Sequence, residues 1–449
     1  MRSLFSALLV VLVLTSAPAL AFPPTITMIV KEGDVVGGVG SISSGFGACE
    51  NMAVNNSGDW LVESDTNNAD TNIDGVILSG NGHGAFSLYQ QEGAALASPP
   101  GASIDSWDSI RINNLGNASF NNFLDGTAGT TDDSGVYYNG DLVIQEGTIA
   151  TAPGFSAGTP YIGWFETYIN DNNDILMVAS IDDPAIASTV DRALVKVNGL
   201  SLTETLYAKE GDSPVAGRFI ADFGTGPHTT AFNNAGYALY SVDMDGTTND
   251  DGLVVYSNGT SSTILARESQ PVAGVPGRNW EVVIGASLDV NNFGDWVMIA
   301  NMDGATTDDN AIIRNGTDVI AREGSSLPSI AGGWALTAFG TGSVLIDAKG
   351  DVVWFGDWND PDTTKDTGIF MNDQLIVQEG VTMVGGLLVT SISAVQDNMA
   401  MSDNGQWIIF EGVLNGTIEG AFLVEVPEPG TIALVAVGGL LLVRRRRRA

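Results

Sequence analysis

Asn291-Asn-Phe-Gly-Asp-Trp-Val-Met-Ile-Ala300 occurs, with substitutions, seven times along the chain. Its glycine column runs Gly58, Gly116, Asn173, Gly236, Gly294, Gly350 and Gly405, with spacings of 58, 57, 63, 58, 56 and 55 residues. Three residues before each stands Asn55, Asn113, Asn170, Asn233, Asn291, Asp347 or Ser402. A second column interleaves with the first, a long polar residue followed by glutamate, at Glu32, Glu92, Glu146, Glu210, Glu268, Glu323 and Glu379. Self-similarity at a fixed period marks a repeat architecture, in which each unit buries its apolar face only by stacking on its neighbours.

One unit reads as four strands. In the fifth, Trp280 to Ile284 and Ser287 to Val290 supply a first strand, and Asn291-Asn-Phe-Gly294 is a turn in which Asn bonds back to the backbone and Gly takes positive φ. Asp295 to Ala300 is a second strand, Asp303 to Asp309 a polar loop, Ala311 to Arg314 a third strand and Asp318 to Glu323 a fourth, with Asn315-Gly316 as the hairpin turn. Four-stranded up-and-down sheets repeated seven times predict an all-β, seven-bladed β-propeller of about 57-residue units. The ends agree with a closed ring. The chain enters at Thr25 to Glu32, a fourth strand without its first three, and leaves at Glu419 to Glu425, a third strand without its fourth. The two ends complete one blade between them.

Residues 1–21 have the basic, apolar and small-residue anatomy of a secretory signal, ending in Ala19-Leu20-Ala21, so the mature body is expected to span 22–426. The chain carries 18 Lys and Arg against 53 Asp and Glu; without Arg2 and Arg444 to Arg448 the basic count is 18 − 6 = 12, and the net charge 12 − 53 = −41. So acidic a surface repels nucleic acid and anionic lipid. The single cysteine, Cys49, leaves no internal disulfide, and reads as a buried small residue.

Val426-Pro427-Glu428-Pro429-Gly430 is followed by an apolar stretch to Val443 and by Arg444, Arg445, Arg446, Arg447 and Arg448. This tail, 427–449, resembles the PEP-CTERM sorting signal, which implies an exosortase-type processing enzyme as partner and an extracellular or cell-envelope destination. The arginines act as a membrane stop under the positive-inside rule. The 13 residues from Thr431 to Val443 span only about 20 Å as a helix, a short transmembrane segment suited to transient contact. The repeats resemble the tandem-repeat family named for an Asn-x-x-Gly-x-x-x-Ala-Phe signature with interchangeable anchors, through Asn113-Asn-Leu-Gly-Asn-Ala-Ser-Phe120 and Asn55-Asn-Ser-Gly58. That resemblance implies no catalytic residues.

Chemistry is sparse. Gly154-Phe-Ser-Ala-Gly158 fits a nucleophile-elbow pattern but lies between Pro153 and Thr159-Pro160, where no strand-to-helix turn is expected. Two histidines, His83 and His228, and one cysteine do not make a usual zinc set. Calcium is the cofactor to consider: Asp243, Asp245, Asp250 and Asp251 in one loop, and Asp303, Asp308 and Asp309 in the next, crowd oxygens of the kind hard cations take, though Asp is also an ordinary turn former. The seven glutamates of the second column read as a blade-to-blade fastener rather than a site, because a site for an asymmetric ligand breaks the symmetry. Tryptophans Trp60, Trp296 and Trp407 share one column and read as core. Two functions remain: a non-catalytic surface or matrix protein binding exopolysaccharide or another envelope component, and a carbohydrate-active enzyme using rim carboxylates as acid and base. Aromatics exposed in one patch not shared between units favour the first.

Overall fold

The computed structural model describes residues 24–43 and 49–427; the signal segment, Glu428, Pro429 and the arginine cluster lie outside them. Seven antiparallel sheets follow one another at 49–91, 103–145, 161–209, 220–267, 280–322, 336–378 and 387–425. These are blades 1 to 7 of the expected propeller. In the fifth, Trp280–Val282 and Leu288–Val290 share the innermost position, followed outwards by Trp296–Met302, Asn310–Arg314 and Asp318–Arg322. Asn315 and Gly316 both take positive φ, 52° and 70°, the left-handed pair that a two-residue hairpin turn of matching twist requires.

Closure is made as the termini predict. Thr25–Lys31 lies antiparallel to Ile418–Glu425 as the outermost strand of blade 7, with Thr25 opposite Glu425 and Lys31 opposite Gly420. Among the described residues the buried apolar side chains form seven clusters, one between each adjacent pair of blades. Each sheet therefore buries both faces, which is why its strands read as nearly continuous apolar runs rather than clean alternation. The first strands touch one another in ring order and surround the central channel.

The asparagine column ties this ring together. The side-chain nitrogen of Asn113 donates to the carbonyl of Asn170 in the next blade (2.9 Å), Asn170 to Asn233 (3.2 Å), Asn233 to Asn291 (3.0 Å) and Asn291 to Asp347 (2.9 Å). The oxygen of the same side chain accepts backbone N–H groups of its own turn, as Asn113 does from Leu115 and Asn117. One residue type thus shapes the turn and fastens the blade to its neighbour. The departures from the column are repaired locally. Asn173 replaces glycine and still takes φ 62°, a conformation Asn tolerates. The Asp347 side chain has no N–H to give, and the link to blade 7 passes instead from the Ala348 amide to the Asp403 carbonyl.

Candidate functional site

The glutamate column lies at the end of each fourth strand, and its contacts are made inside a blade. Glu92 accepts the amide of Gly75 (2.8 Å), Glu268 that of Gly252 (3.1 Å) and Glu323 that of Asn310 (3.2 Å). Glu146 and Glu379 accept the hydroxyls of Ser134 (3.0 Å) and Thr367 (2.6 Å). In blades 3 and 7 the backbone keeps the register, the amides of Glu210 and Glu32 donating to Arg192 and Glu419. Each glutamate thus sits where the third and fourth strands meet at their start and end, rather than between blades.

An aspartate precedes the third strand in five units, Asp74, Asp133, Asp251, Asp309 and Asp366, and opens it in a sixth, Asp191. Burial, with the neighbouring Asp74, raises Glu92 from 4.5 to about 7, and burial with Asp191 raises Glu210 to about 7. Burial also lifts Glu268 and Glu323, which hydrogen-bond Asp251 and Asp309. Between pH 4.5 and 7 the folded chain holds protons on Glu92 and Glu210 that the unfolded chain has lost. Stability from these groups is full below pH 4.5 and falls as pH rises through 7. Thermal unfolding is expected to give a higher midpoint at pH 5.5 than at pH 8.5, and a midpoint rising over that interval would contradict the protonated pairs.

The aspartates considered for calcium separate. Asp243, Asp251 and the repeat glutamate Glu268 bring ligand oxygens within 4.8 Å of one another. Asp250 instead meets Arg218 (2.9 Å) and Arg267 (3.2 Å), and Asp245 accepts the Phe219 amide beside Arg218. Asp308 bonds Arg278 and Arg322, and Asp303 accepts both nitrogens of Asn279 at 2.9 Å. Asp309 stays with Glu323 and Asn310. The arginines lie 14 to 32 residues away, Arg267 and Arg322 at the ends of fourth strands, so the loop composition alone does not show the pairing.

On the face that carries the asparagine turns, side chains bridge the channel. Asn114 donates to Asp171 (3.1 Å) and to Asp403 (2.9 Å), Asn292 to Asp403 (3.1 Å), and Asn234 to Asp171 (2.6 Å). Blades 2, 3, 4, 5 and 7 meet in this net. Beneath it lies a cavity of about 150 Å³ lined by Arg111, Tyr168, His228 and Asp289 among others. His228 is driven down to about 3 by burial and then by Arg111, so it is neutral, and His83 lies elsewhere beside Glu425 (3.4 Å). Cys49 is fully buried and its thiol is pushed up by desolvation, the inert state the sequence suggests.

Two features break the seven-fold pattern. The first is an aromatic patch on the turn face. Tyr237 and Tyr256 stack with centroids 4.6 Å apart, and Phe293, 78% exposed, borders the same cavity of about 510 Å³ with Asn292, Ser261 and Thr263. The position after the glycine is Asp59, Asn117, Asp174, Asp295, Asp351 or Gln406 in the other units, and Tyr237 only in the fourth. That substitution was the available signal. Attention to tryptophan missed it, since Trp60, Trp107, Trp164, Trp280, Trp296, Trp354 and Trp358 are all buried.

The second lies at the other end of the inner strands, in blades 7, 1, 2 and 3. Glu63 and Asn121 stand where blades 3, 5 and 6 carry Val178, Ile299 and Phe355, and Asn122 and Glu411 stand where blades 3 and 5 carry Ala179 and Ala300. Arg111 pairs with Glu166 at 2.7 Å and lies 5.2 Å over the Tyr168 ring. Burial raises the Glu166 carboxyl while Arg111 opposes it. Asp397 is pushed up to about 6 by burial, with Arg111 opposing and Asp108 and Glu50 adding.

A family model described as a family of unknown function (DUF7453) matches residues 25–434, and a PEP-CTERM protein-sorting motif matches residues 425–448. Comparison with curated proteins gave no match. Similar solved structures include a gluconolactonase from Xanthomonas campestris, at 11% identity over 91% of this chain and 96% of that one, with a TM-score of 0.31. An α-L-arabinofuranosidase from Fusarium graminearum gives 9% identity, 90% and 98% coverage and a TM-score of 0.35. A WD40 domain from Toxoplasma gondii coronin gives 8%, 91%, 88% and 0.38. At these scores the likeness supports no argument about activity. The sorting motif implies export, processing by an exosortase and a membrane-anchored C-terminal tail. Among the described residues no helix is long and apolar enough to cross a membrane. The chain belongs to the family of unknown function DUF7453, as an exported seven-bladed propeller bearing a PEP-CTERM sorting motif.

Proposed function

We propose that this chain is a non-catalytic surface or matrix protein, with residues 22–426 as its mature body, that binds polysaccharide or another hydroxylated envelope component on the turn face. The observation that carries this is the Tyr237–Tyr256–Phe293 patch. Aromatic faces cover the apolar face of a sugar ring, while the adjacent Asn292, Ser261 and Thr263 supply hydrogen bonds to its hydroxyls. Repetition in kind of the anchored turn, which resembles the Asn-x-x-Gly family, gives the patch a rigid frame.

Phe293→Ala is the direct test, because an exposed side chain can be removed without disturbing a core. Binding to exopolysaccharide extracted from the source cells is expected to weaken about three- to tenfold, with unfolding unchanged. Equal binding by the variant would remove the patch from the account. A carbohydrate-active enzyme is the alternative, favoured by the asymmetric carboxyls Glu166 and Asp397 around Arg111. It predicts cleavage of the polymer, abolished by Asp397→Asn.

A further inference from the structure

The mouth of the channel opposite the turns holds a cavity of about 430 Å³ between blades 7 and 1, lined by Glu50, Asn51, Ser393, Asp397, Asn398 and Glu411. Asn51 and Asn398 stand four residues before the turn positions Asn55 and Ser402, roughly 13 Å along an extended strand. This site is therefore separate from the aromatic patch and does not depend on it.

The hydrogen bonds around the cavity are one-sided. The Asn51 side-chain nitrogen is taken by Glu63 (2.8 Å), and that of Asn398 by Ser393 (2.9 Å) and Glu411. Both amide donors are thus used within the protein. What remains is acceptors. Among the described residues, Oδ1 of Asn51, a residue 6% exposed, has no hydrogen-bond partner, and neither has Oδ1 of Asp397. A buried acceptor left unmet is costly, so a ligand that donates to it gains affinity. Glu50 adds a third acceptor at the mouth, and Asp108 and Glu50 both add to the negative field at Asp397, which Arg111 only partly offsets.

Negative charge and free acceptors call for a cation with hydrogen-bond donors. A bare metal ion fits poorly: among the described residues, only Asp243, Asp251 and Glu268 gather ligand oxygens within 4.8 Å. The acceptors here are spread around a space of molecular size. We propose that this cavity binds a small hydroxylated organic cation of the amino-sugar type, its ammonium directed to Asp397 and Glu50 and a further donor to Asn51 Oδ1.

Calorimetric titration of the purified protein with glucosamine, glucose and calcium chloride tests this. Glucosamine is expected to bind at least about tenfold more tightly than glucose, the factor that one charge-assisted hydrogen bond of about 1.5 kcal/mol gives. Asp397→Asn is expected to remove that preference. Val395 is 54% exposed at the same mouth, so Val395→Trp narrows the entrance without touching the core and is expected to weaken glucosamine binding. Phe293→Ala is expected to leave it unchanged. Equal affinity for glucose and glucosamine, or a glucosamine isotherm unaffected by both Asp397→Asn and Val395→Trp, would overturn the proposal. Calcium that competes glucosamine away at stoichiometric amounts would also overturn it, in favour of a metal site.

Discussion

A mature chain lacking residues 24–32 is expected to lose its cooperative fold, and not merely the stability of one strand. Val30 is fully buried and Ile29 is 7% exposed in the cluster between blades 7 and 1. Burying two such side chains contributes about 1.5–3 kcal/mol each, and each ladder hydrogen bond to Ile418–Glu425 adds about 1 kcal/mol. Their sum approaches the 5–15 kcal/mol that holds a typical domain together. The deletion also leaves Ala421 and Leu423, both fully buried, on an open sheet edge. Open apolar edges pair with other chains. Circular dichroism on heating is expected to show loss of the cooperative transition or a midpoint lower by more than about 10 °C, with soluble aggregates on size exclusion. A monomer with an unchanged transition would mean that the ring does not need its latch.

Asn113→Ala is expected to be the most costly single substitution on the turn face. The residue is 4% exposed, donates to Asn170 across the blade boundary and accepts two amides of its own turn. Alanine leaves a buried carbonyl and two N–H groups without those partners. At about 1–3 kcal/mol for each group that water does not reach, and with Leu115 exposed enough for water to reach its amide, a loss of about 2–4 kcal/mol follows. Urea unfolding measures it as a shift of midpoint at constant slope. Asn113→Ser keeps a neutral acceptor for the turn, as Ser402 does for the Trp407 amide in blade 7 (3.0 Å), and removes the link to blade 3, so it is expected to cost less than alanine. Equal losses would place the whole effect in the inter-blade bond, and no loss would remove the asparagine ring as a fastener.

The architecture was readable because every unit repeats its signals. Asn315-Gly316 announced a hairpin, the Asn-x-x-Gly turns gave the period, and the unmatched end strands gave the latch. Side-chain pairing was not readable, because it joins positions distant in sequence. Asp403 meets Asn114 across 289 residues and Asn292 across 111. Asp308 looks like a ligand in its loop, yet Arg278, 30 residues earlier, reaches it. The same holds for function. Tyr237, Tyr256 and Phe293 come from the residue before a second strand, a third strand and the following blade's turn, and only the ring brings them together. The glutamate column was visible as a period, but the aspartate it meets was hidden by loops of unequal length before the third strand.

The central claim is that the ring binds an extracellular polymer without cutting it. The measurement that tests it most directly is size-exclusion chromatography of the purified protein with exopolysaccharide extracted from the source cells, following protein and polymer separately. Co-elution with the polymer size unchanged is the predicted result, and its loss in Phe293→Ala ties it to the turn face. Shortened polymer would contradict the account and identify an enzyme, and protein eluting apart from intact polymer would contradict polysaccharide binding itself.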